Sequence, residues 1–177
     1  MSDGLYNPLA EGDIILATAE LVPMGTITAK IGDQIEVGNG PKGNRLTADV
    51  PEIKLESERI NATLATNDAA DWLTLSGENG DVGALDVRFT LETDDGAFIY
   101  VEYGGRVDMS TGLIASTPTF QTGDSRYQWL NKIQAIGAGQ FDSETGILVY
   151  QLYEVRIVAH AGEPGHTDGL DLADRMK

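Results

Sequence analysis

Hydrophobic and polar residues alternate in the middle of the chain, which is the pattern of a half-buried β-strand. In the segment ALDVRFTLE, the apolar positions are Leu85, Val87, Phe89 and Leu91, and the polar positions between them are Asp86, Arg88, Thr90 and Glu92. Asp95 and Gly96 then favour a tight turn, and the β-rich segment AFIYVEY follows. The pattern therefore predicts a β-hairpin over residues 85–103.

Short β-rich segments bounded by Gly, Pro, Asn and Asp recur along the rest of the chain, while helical periodicity is scarce. Further strands are predicted at residues 14–22, 26–31, 60–65, 72–76 and 132–136, with a long strand in GILVYQLYEVRIV. Short helical turns are predicted in TGDSRYQWLN, with Asp124 or Ser125 as N-cap, and in DGLDLADRMK. Many short strands with little helix are typical of an antiparallel barrel or sandwich.

The length of 177 residues fits one domain with a core of its own. Residues 1–12 and 161–177 are polar or rich in glycine, so we predict flexible segments there and an all-β domain over residues 13–160.

Composition removes several function classes. The chain has no cysteine, which excludes disulfides, thiol nucleophiles and cysteine-based zinc sites. The net charge of −16 argues against nucleic acids and anionic membranes as partners, because both would be repelled. With no signal sequence and no long apolar segment, the predicted location is cytoplasmic.

No motif in the chain predicts a cofactor. GNGPKG has the G-x-G-x-x-G spacing, but it contains a proline and precedes no helix, so it is interpreted as a loop. His160, Glu163 and His166 could ligate a metal, but they lie in a segment rich in glycine and proline, and we predict no metal. No G-x-S-x-G motif is present, which argues against a serine hydrolase.

Asp86 and Arg88 are two residues apart, so they share one face of the predicted strand. On an ordinary sheet they would form an ion pair on a solvated surface. In a closed barrel the same face can point inward, where polar residues must pair or bind a ligand.

The segment FQTGDSRYQWLN, residues 120–131, collects a Phe, a Tyr and a Trp around an Arg, an Asp and an Asn. One interpretation is a packed corner, with Arg126 paired to an acidic neighbour and Tyr127 closing a turn through its hydroxyl. The other is a ligand site, because Trp129 and Asn131 would share a face of a strand that continues through Ile133 and Ala135.

Three motifs occur in order along the chain: ADW, then D-x-R-x-x-L-x-T-D-D-G-A-x-I-Y, then F-x-T-G-x-x-R-Y-x-W-L-N. With them the chain resembles the domain-of-unknown-function 3237 family over about residues 14–158. The resemblance implies a single antiparallel β-barrel, similar in architecture to lipocalin-like and allene oxide cyclase-like barrels. It implies no particular activity.

Two function classes remain open. The first is a cofactor-independent lyase, isomerase or cyclase whose barrel interior supplies acid and base groups, with Asp86, Arg88, Tyr103 and Asn131 as catalytic candidates. The ligand-binding candidates are Trp72, Arg126, Tyr127 and Trp129. The alternative is a carrier or sensor of a small, partly apolar metabolite. In both cases the expected partner is a small organic ligand, and a homodimer stays open. A purely structural role is a third interpretation that the sequence leaves open.

Overall fold

The computed structural model describes residues 16–160, with side chains described over 17–158, and this part of the chain is almost entirely β. A short 3-10 helix, Gln128–Lys132, lies between the eleventh and twelfth strands. The strands are β1 (Leu16–Lys30), β2 (Gln34–Gly40), β3 (Gly43–Asp49), β4 (Glu52–Glu56), β5 (Asn61–Leu64), β6 (Ala70–Asp71), β7 (Thr74–Ser76), β8 (Val82–Thr93), β9 (Phe98–Asp108), β10 (Leu113–Ser116), β11 (Thr119–Gln121), β12 (Ala135–Asp142) and β13 (Ile147–His160).

Eight of these strands close into an antiparallel β-barrel. The order around the wall is β8, β9, β10, β12, β13, β1, β4 and β5, and β5 pairs with β8 to complete the circle. The described part of the chain therefore confirms the predicted all-β barrel. Closure gives each of these strands two neighbours, which satisfies backbone groups that an open sheet would leave unpaired at its edges.

The predicted hairpin is confirmed and is longer than expected. β8 and β9 pair from Val82 opposite Asp108 to Glu92 opposite Phe98. Gly96 adopts a φ of 84° in the turn, a conformation that a residue with a Cβ rarely adopts. Val87, Phe89 and Leu91 face the core, as do Ile99 and Val101 on β9. The apolar face of the alternating pattern is thus the inner face of the wall.

A second set of short strands continues the sheet from the first half of β8. β6 and β7 pair with β8, β3 pairs with both of them, and β2 pairs with β3. The segment GNGPKG spans the two-residue turn at Pro41 and Lys42 between β2 and β3, with its other residues in these strands and Gly43 at a φ of 105°. A strand and not a helix follows it, as expected, but most of the segment is hairpin and not loop. β2 and β3 themselves were not predicted.

Several of the predicted strands have other bounds. The segments 14–22 and 26–31 belong to one strand where they are described, because β1 continues through Pro23 and Gly25. Gly25 packs so closely on β4 that a Cβ there would lie 2.8 Å from the carbonyl oxygen of Glu56. The strand predicted over 132–136 begins at Ala135, because the helix continues to Lys132.

The barrel wall and core belong to a unit that spans Leu21–Val155. A separate unit contains the outer ends of β1 and β13, residues 16–20 and 156–160 of the described chain. The segments predicted to be flexible and the predicted C-terminal helical turn lie outside the described residues. Over residues 16–160, no helix has the length and hydropathy needed to cross a membrane.

Candidate functional site

Asp86 and Arg88 lie on the outer face of the barrel wall, where their side chains are 49% and 46% exposed. They form an ion pair of 2.9 Å, and the guanidinium of Arg88 also lies 5.5 Å from the centre of the Trp72 ring. The prediction that this pair lines the interior is wrong. The inward positions of β8 carry apolar side chains such as Val87 and Phe89, and the alternation then turns Asp86 and Arg88 to solvent.

Asn131 and Trp129 are also outside the barrel interior. Asn131 lies in the 3-10 helix and binds the backbone of Thr122 twice, accepting from its N–H at 2.8 Å and donating to its carbonyl at 2.9 Å. Trp129 packs under the guanidinium of Arg59, whose carbon is 3.4 Å from the ring centre. The predicted placement beside Asp86 is therefore wrong, because a helix replaces the strand on which the alternation depended.

Arg126 and Tyr127 connect the helix segment to the turn of the β8–β9 hairpin. Arg126 pairs with Asp124 at 2.8 Å and with Asp95 at 2.9 Å, and the Tyr127 hydroxyl donates to Asp95 at 3.0 Å. Hydrogen bonds from Arg126 lower the pKa of the Asp124 carboxyl to about 2. These contacts account for both side chains without a ligand, as the packed-corner interpretation expects.

Of the eight predicted site residues, all of them in the described part of the chain, Tyr103 is the one that lines the interior cavity. It belongs to a row of residues that pair across five adjacent strands and therefore share the inner face. The row consists of Gln34, Ala48, Asp71, Val87 and Tyr103. The cavity has a volume of about 130 Å³, and most of its lining is aliphatic, with Ile27, Leu46, Leu73, Val87 and Ile114 among the residues.

Asp71 contributes a carboxyl group to this apolar cavity. Its Oδ1 atom accepts a hydrogen bond of 3.1 Å from the backbone N–H of Asp86. Burial raises the pKa of the Asp71 carboxyl to about 6, and the charge of Asp86 adds to the rise, while the Asp86 N–H and the charge of Arg45 oppose it. Among the described residues, Asp71 takes part in no ion pair.

Tyr150 lines the same cavity and is 2% exposed. Its ring lies against the bare backbone of Gly139, where a Cβ would come within 2.4 Å of a ring carbon. The rings of Tyr150 and Tyr103 meet edge to face, with their centres 5.7 Å apart. Burial raises the pKa of both phenols above the ordinary value, so both stay protonated at neutral pH.

The hydroxyl of Tyr150 is buried without a hydrogen-bond partner in the described part of the chain. The hydroxyls of Tyr103 and Ser116 lie near enough to lower its pKa as weak hydrogen-bonding groups would, but neither meets the distance and angle of a hydrogen bond, so we treat the Tyr150 hydroxyl as unpaired. Leaving such a group unpaired costs about 1–3 kcal/mol, so it is a candidate for contact with a ligand.

Asp71 and Tyr150 are not among the predicted site residues, although the chain carries a signal for each. Asp71 is the charged residue of the ADW motif, in which the predicted ligand-binding residue is Trp72. Tyr150 alternates with Leu148 and Leu152, so its period-two position places it on an apolar face.

No metal site is found among the described residues, where no cluster of three or more His, Asp or Glu side chains has suitable positions. Glu163 and His166 lie outside the described residues, and the side chain of His160 is not described. The prediction about these three residues therefore stays a prediction.

Comparisons with known proteins agree with the barrel. The family model described as "Protein of unknown function (DUF3237)" matches residues 19–155. A UPF0311 protein from Rhodopseudomonas palustris strain TIE-1 is 28% identical over 137 residues, which covers 68% of this chain and 88% of the relative.

Two crystal structures have the same fold. A conserved protein of unknown function from Rhodopseudomonas palustris matches with a TM-score of 0.70 and 26% identity, covering 78% of this chain and 99% of that one. A beta-barrel-like protein from Acinetobacter baumannii AYE matches with a TM-score of 0.69 and 22% identity, covering 86% and 100%.

Proposed function

The chain belongs to the DUF3237 family of proteins of unknown function, and we propose that it binds a small, partly apolar molecule inside its barrel and transfers a proton on that molecule without a cofactor. The reaction class is isomerisation, elimination or cyclisation, each of which needs an acid, a base and a dry cavity. The observation that carries the proposal is the Asp71 carboxyl, with a raised pKa, in the same apolar cavity as the unpaired hydroxyl of Tyr150.

Asp71 has the properties of a proton acceptor that works near neutral pH. A general base is most effective when its pKa lies near the working pH, and an ordinary aspartate is too acidic for this. With a pKa of about 6, the Asp71 carboxyl is mostly ionised at pH 7 and holds a transferred proton better than an exposed aspartate. One oxygen is engaged by the Asp86 N–H, and no hydrogen bond from a described residue engages the other.

Tyr150 has the properties of a hydrogen-bond donor to a developing negative charge. It stays protonated, and its position is fixed by the backbone of Gly139 and the edge of the Tyr103 ring. A donor held in an apolar site stabilises an oxyanion more than the same donor in water does. Tyr103 is a second donor at this site. In the cross-strand row, Val87 lies between Tyr103 and Asp71.

A carrier or sensor is the second candidate, and the mainly aliphatic lining of the cavity favours it. A carrier needs no ionisable group in its interior, however, and burying a carboxyl without an ion-pair partner destabilises the folded protein. The presence of Asp71 is therefore better explained by proton transfer than by binding alone.

Ligand-observed NMR with a set of small ring compounds tests the proposal. We expect some of these compounds to bind, and expect Tyr150→Phe to weaken the binding of oxygen-containing members about tenfold, which is the loss of about one hydrogen bond. Asp86→Asn is the matched control, because it removes a carboxylate from the outer wall and should leave affinity unchanged. Failure of every compound to bind, or binding that depends on Asp86 and not on Tyr150, would overturn the proposal.

A further inference from the structure

We propose that the molecule enclosed in the barrel is an uncharged carbonyl compound about as large as one six-membered ring, and that Asp71 removes a proton from the carbon next to its carbonyl group. The inference rests on the proposed function, because it names the substrate class of the same cavity. It follows from the charge, the hydrogen-bonding capacity and the volume of that cavity.

The charge around the cavity selects against charged ligands. The chain carries a net charge of −16, and an anion would also meet the Asp71 carboxylate without a compensating cation inside the cavity. A cation would pair with Asp71, and an ion pair lowers the pKa of a carboxyl and makes it a weaker base. The charges of Asp86 and Arg45 shift the pKa of Asp71, and the charge of Asp71 in turn raises the pKa values of Tyr103 and Tyr150.

The hydrogen-bonding groups select a ligand with an acceptor and an acidic hydrogen. Tyr150 has a buried hydroxyl without a partner, and a carbonyl oxygen would accept a hydrogen bond from it. The oxygen of Asp71 that the Asp86 N–H leaves unoccupied can accept a proton from the ligand. An alcohol would satisfy Tyr150 equally well, but it lacks the carbon acid on which isomerisation depends.

The volume limits the size of the molecule. The cavity of about 130 Å³ is far smaller than the roughly 300–1,000 Å³ of typical drug-sized ligand sites. It is close to the roughly 150 Å³ of an engineered apolar cavity that holds benzene. One six-membered ring with a single polar group therefore suits the space, and a fused ring system does not.

The proposed step needs no further reactant. The C–H bond next to the carbonyl breaks, and its proton goes to the Asp71 carboxylate. The electron pair of that bond forms a carbon–carbon double bond, while the carbonyl π electrons move to the oxygen, which the Tyr150 hydroxyl stabilises. Return of the proton to the same carbon gives exchange, and return to a conjugated carbon gives an isomer.

Hydrogen–deuterium exchange of cyclohexanone in D₂O, followed by proton NMR, is the test. We expect the protein to accelerate exchange by about 10²-fold or more over buffer, which is the usual range for a positioned base. The enhancement should fall about tenfold for each pH unit below about 6, as Asp71 becomes protonated. Asp71→Asn should return the rate to background, while Glu92→Gln, which removes an exposed carboxylate from the outer face of β8 and does not act on Asp71, should keep the enhancement. The pH profile of the parent protein remains a readout even if one variant fails to fold.

Three results would overturn the inference, and they differ in what they say of the proposed function. If cyclohexanone binds but exchanges at the background rate, the substrate class is wrong and binding in the barrel stands. If cyclohexylamine binds tenfold more tightly than cyclohexanone, the cavity selects cations instead. If none of the four compounds cyclohexanone, cyclohexylamine, cyclohexanol and cyclohexanecarboxylate binds, the proposed function fails together with the inference.

Discussion

Replacing Asp71 with asparagine should stabilise the protein at neutral pH, although it removes the residue on which the proposed chemistry depends. The substitution keeps the size of the side chain and an oxygen that can accept from the Asp86 N–H. It removes the charge, which is the form that burial penalises. A functional group that is retained against stability is expected at an active site rather than in a structural core.

The magnitude follows from the pKa of the Asp71 carboxyl, which rises from 3.8 to about 6 on folding. Each pKa unit corresponds to about 1.4 kcal/mol, so the ionised carboxyl reduces the free energy of unfolding by about 3 kcal/mol. Because the folded-state pKa is raised, the parent protein is not destabilised by Asp71 below pH 3.8, where the carboxyl is protonated. It loses this part of its free energy of unfolding as the pH rises through about 6 and the buried carboxyl ionises. Asp71→Asn should therefore differ little from the parent near pH 4 and be about 3 kcal/mol more stable near pH 8.

Urea unfolding followed by tryptophan fluorescence at several pH values measures this difference. Other carboxyls such as Asp95 and Asp124, whose pKa values are lowered, titrate in both proteins and cancel in the comparison. Asp86→Asn and Arg88→Gln are the controls, and each should change the free energy of unfolding by about 1 kcal/mol or less, because the pair is exposed. A pH-independent difference for Asp71→Asn, or a loss of stability at pH 8, would refute the reasoning.

Three further substitutions probe the surroundings of the site. Tyr150→Phe should leave thermal stability unchanged or raise it by up to about 1 kcal/mol, because the hydroxyl has no partner to lose; a loss above about 2 kcal/mol would reveal a hidden hydrogen bond. Asn131→Ala should lower the free energy of unfolding by about 1–2 kcal/mol through loss of both bonds to Thr122 and leave ligand affinity in NMR titrations unchanged; a stable variant that no longer binds ligand would restore Asn131 as a site residue. Gly139→Ala should cost about 1–3 kcal/mol in urea unfolding and alter the near-ultraviolet circular dichroism, because the new Cβ would displace the Tyr150 ring; an unaltered spectrum and stability would contradict the ring position.

The alternating pattern predicted the β8–β9 hairpin because a period of two is a local property of the chain. It did not reveal which face of β8 points inward. An eight-stranded barrel is just wide enough for side chains to fill, so its interior takes the apolar face and leaves Asp86 and Arg88 outside.

The site residues were harder to predict for reasons that differ from one residue to the next. β6 has two residues, Ala70 and Asp71, which is too short for any periodicity to show where the carboxyl points. Its inward position follows from pairing with Ala48 and Val87, contacts between segments far apart in sequence. Asn131 was misplaced because its bonds to the Thr122 backbone favour a helical turn over the predicted strand.

All of these proposals require that the protein binds a small molecule in the barrel interior and not on its outer wall. A crystal structure of protein soaked with cyclohexanone, at a concentration that saturates binding in NMR, shows which of the two surfaces the ligand occupies. We expect one ring of density inside the barrel, with its oxygen within hydrogen-bonding distance of the Tyr150 hydroxyl and its ring carbons against Asp71. An empty interior, or density on the outer wall beside Asp86 and Arg88, would contradict it.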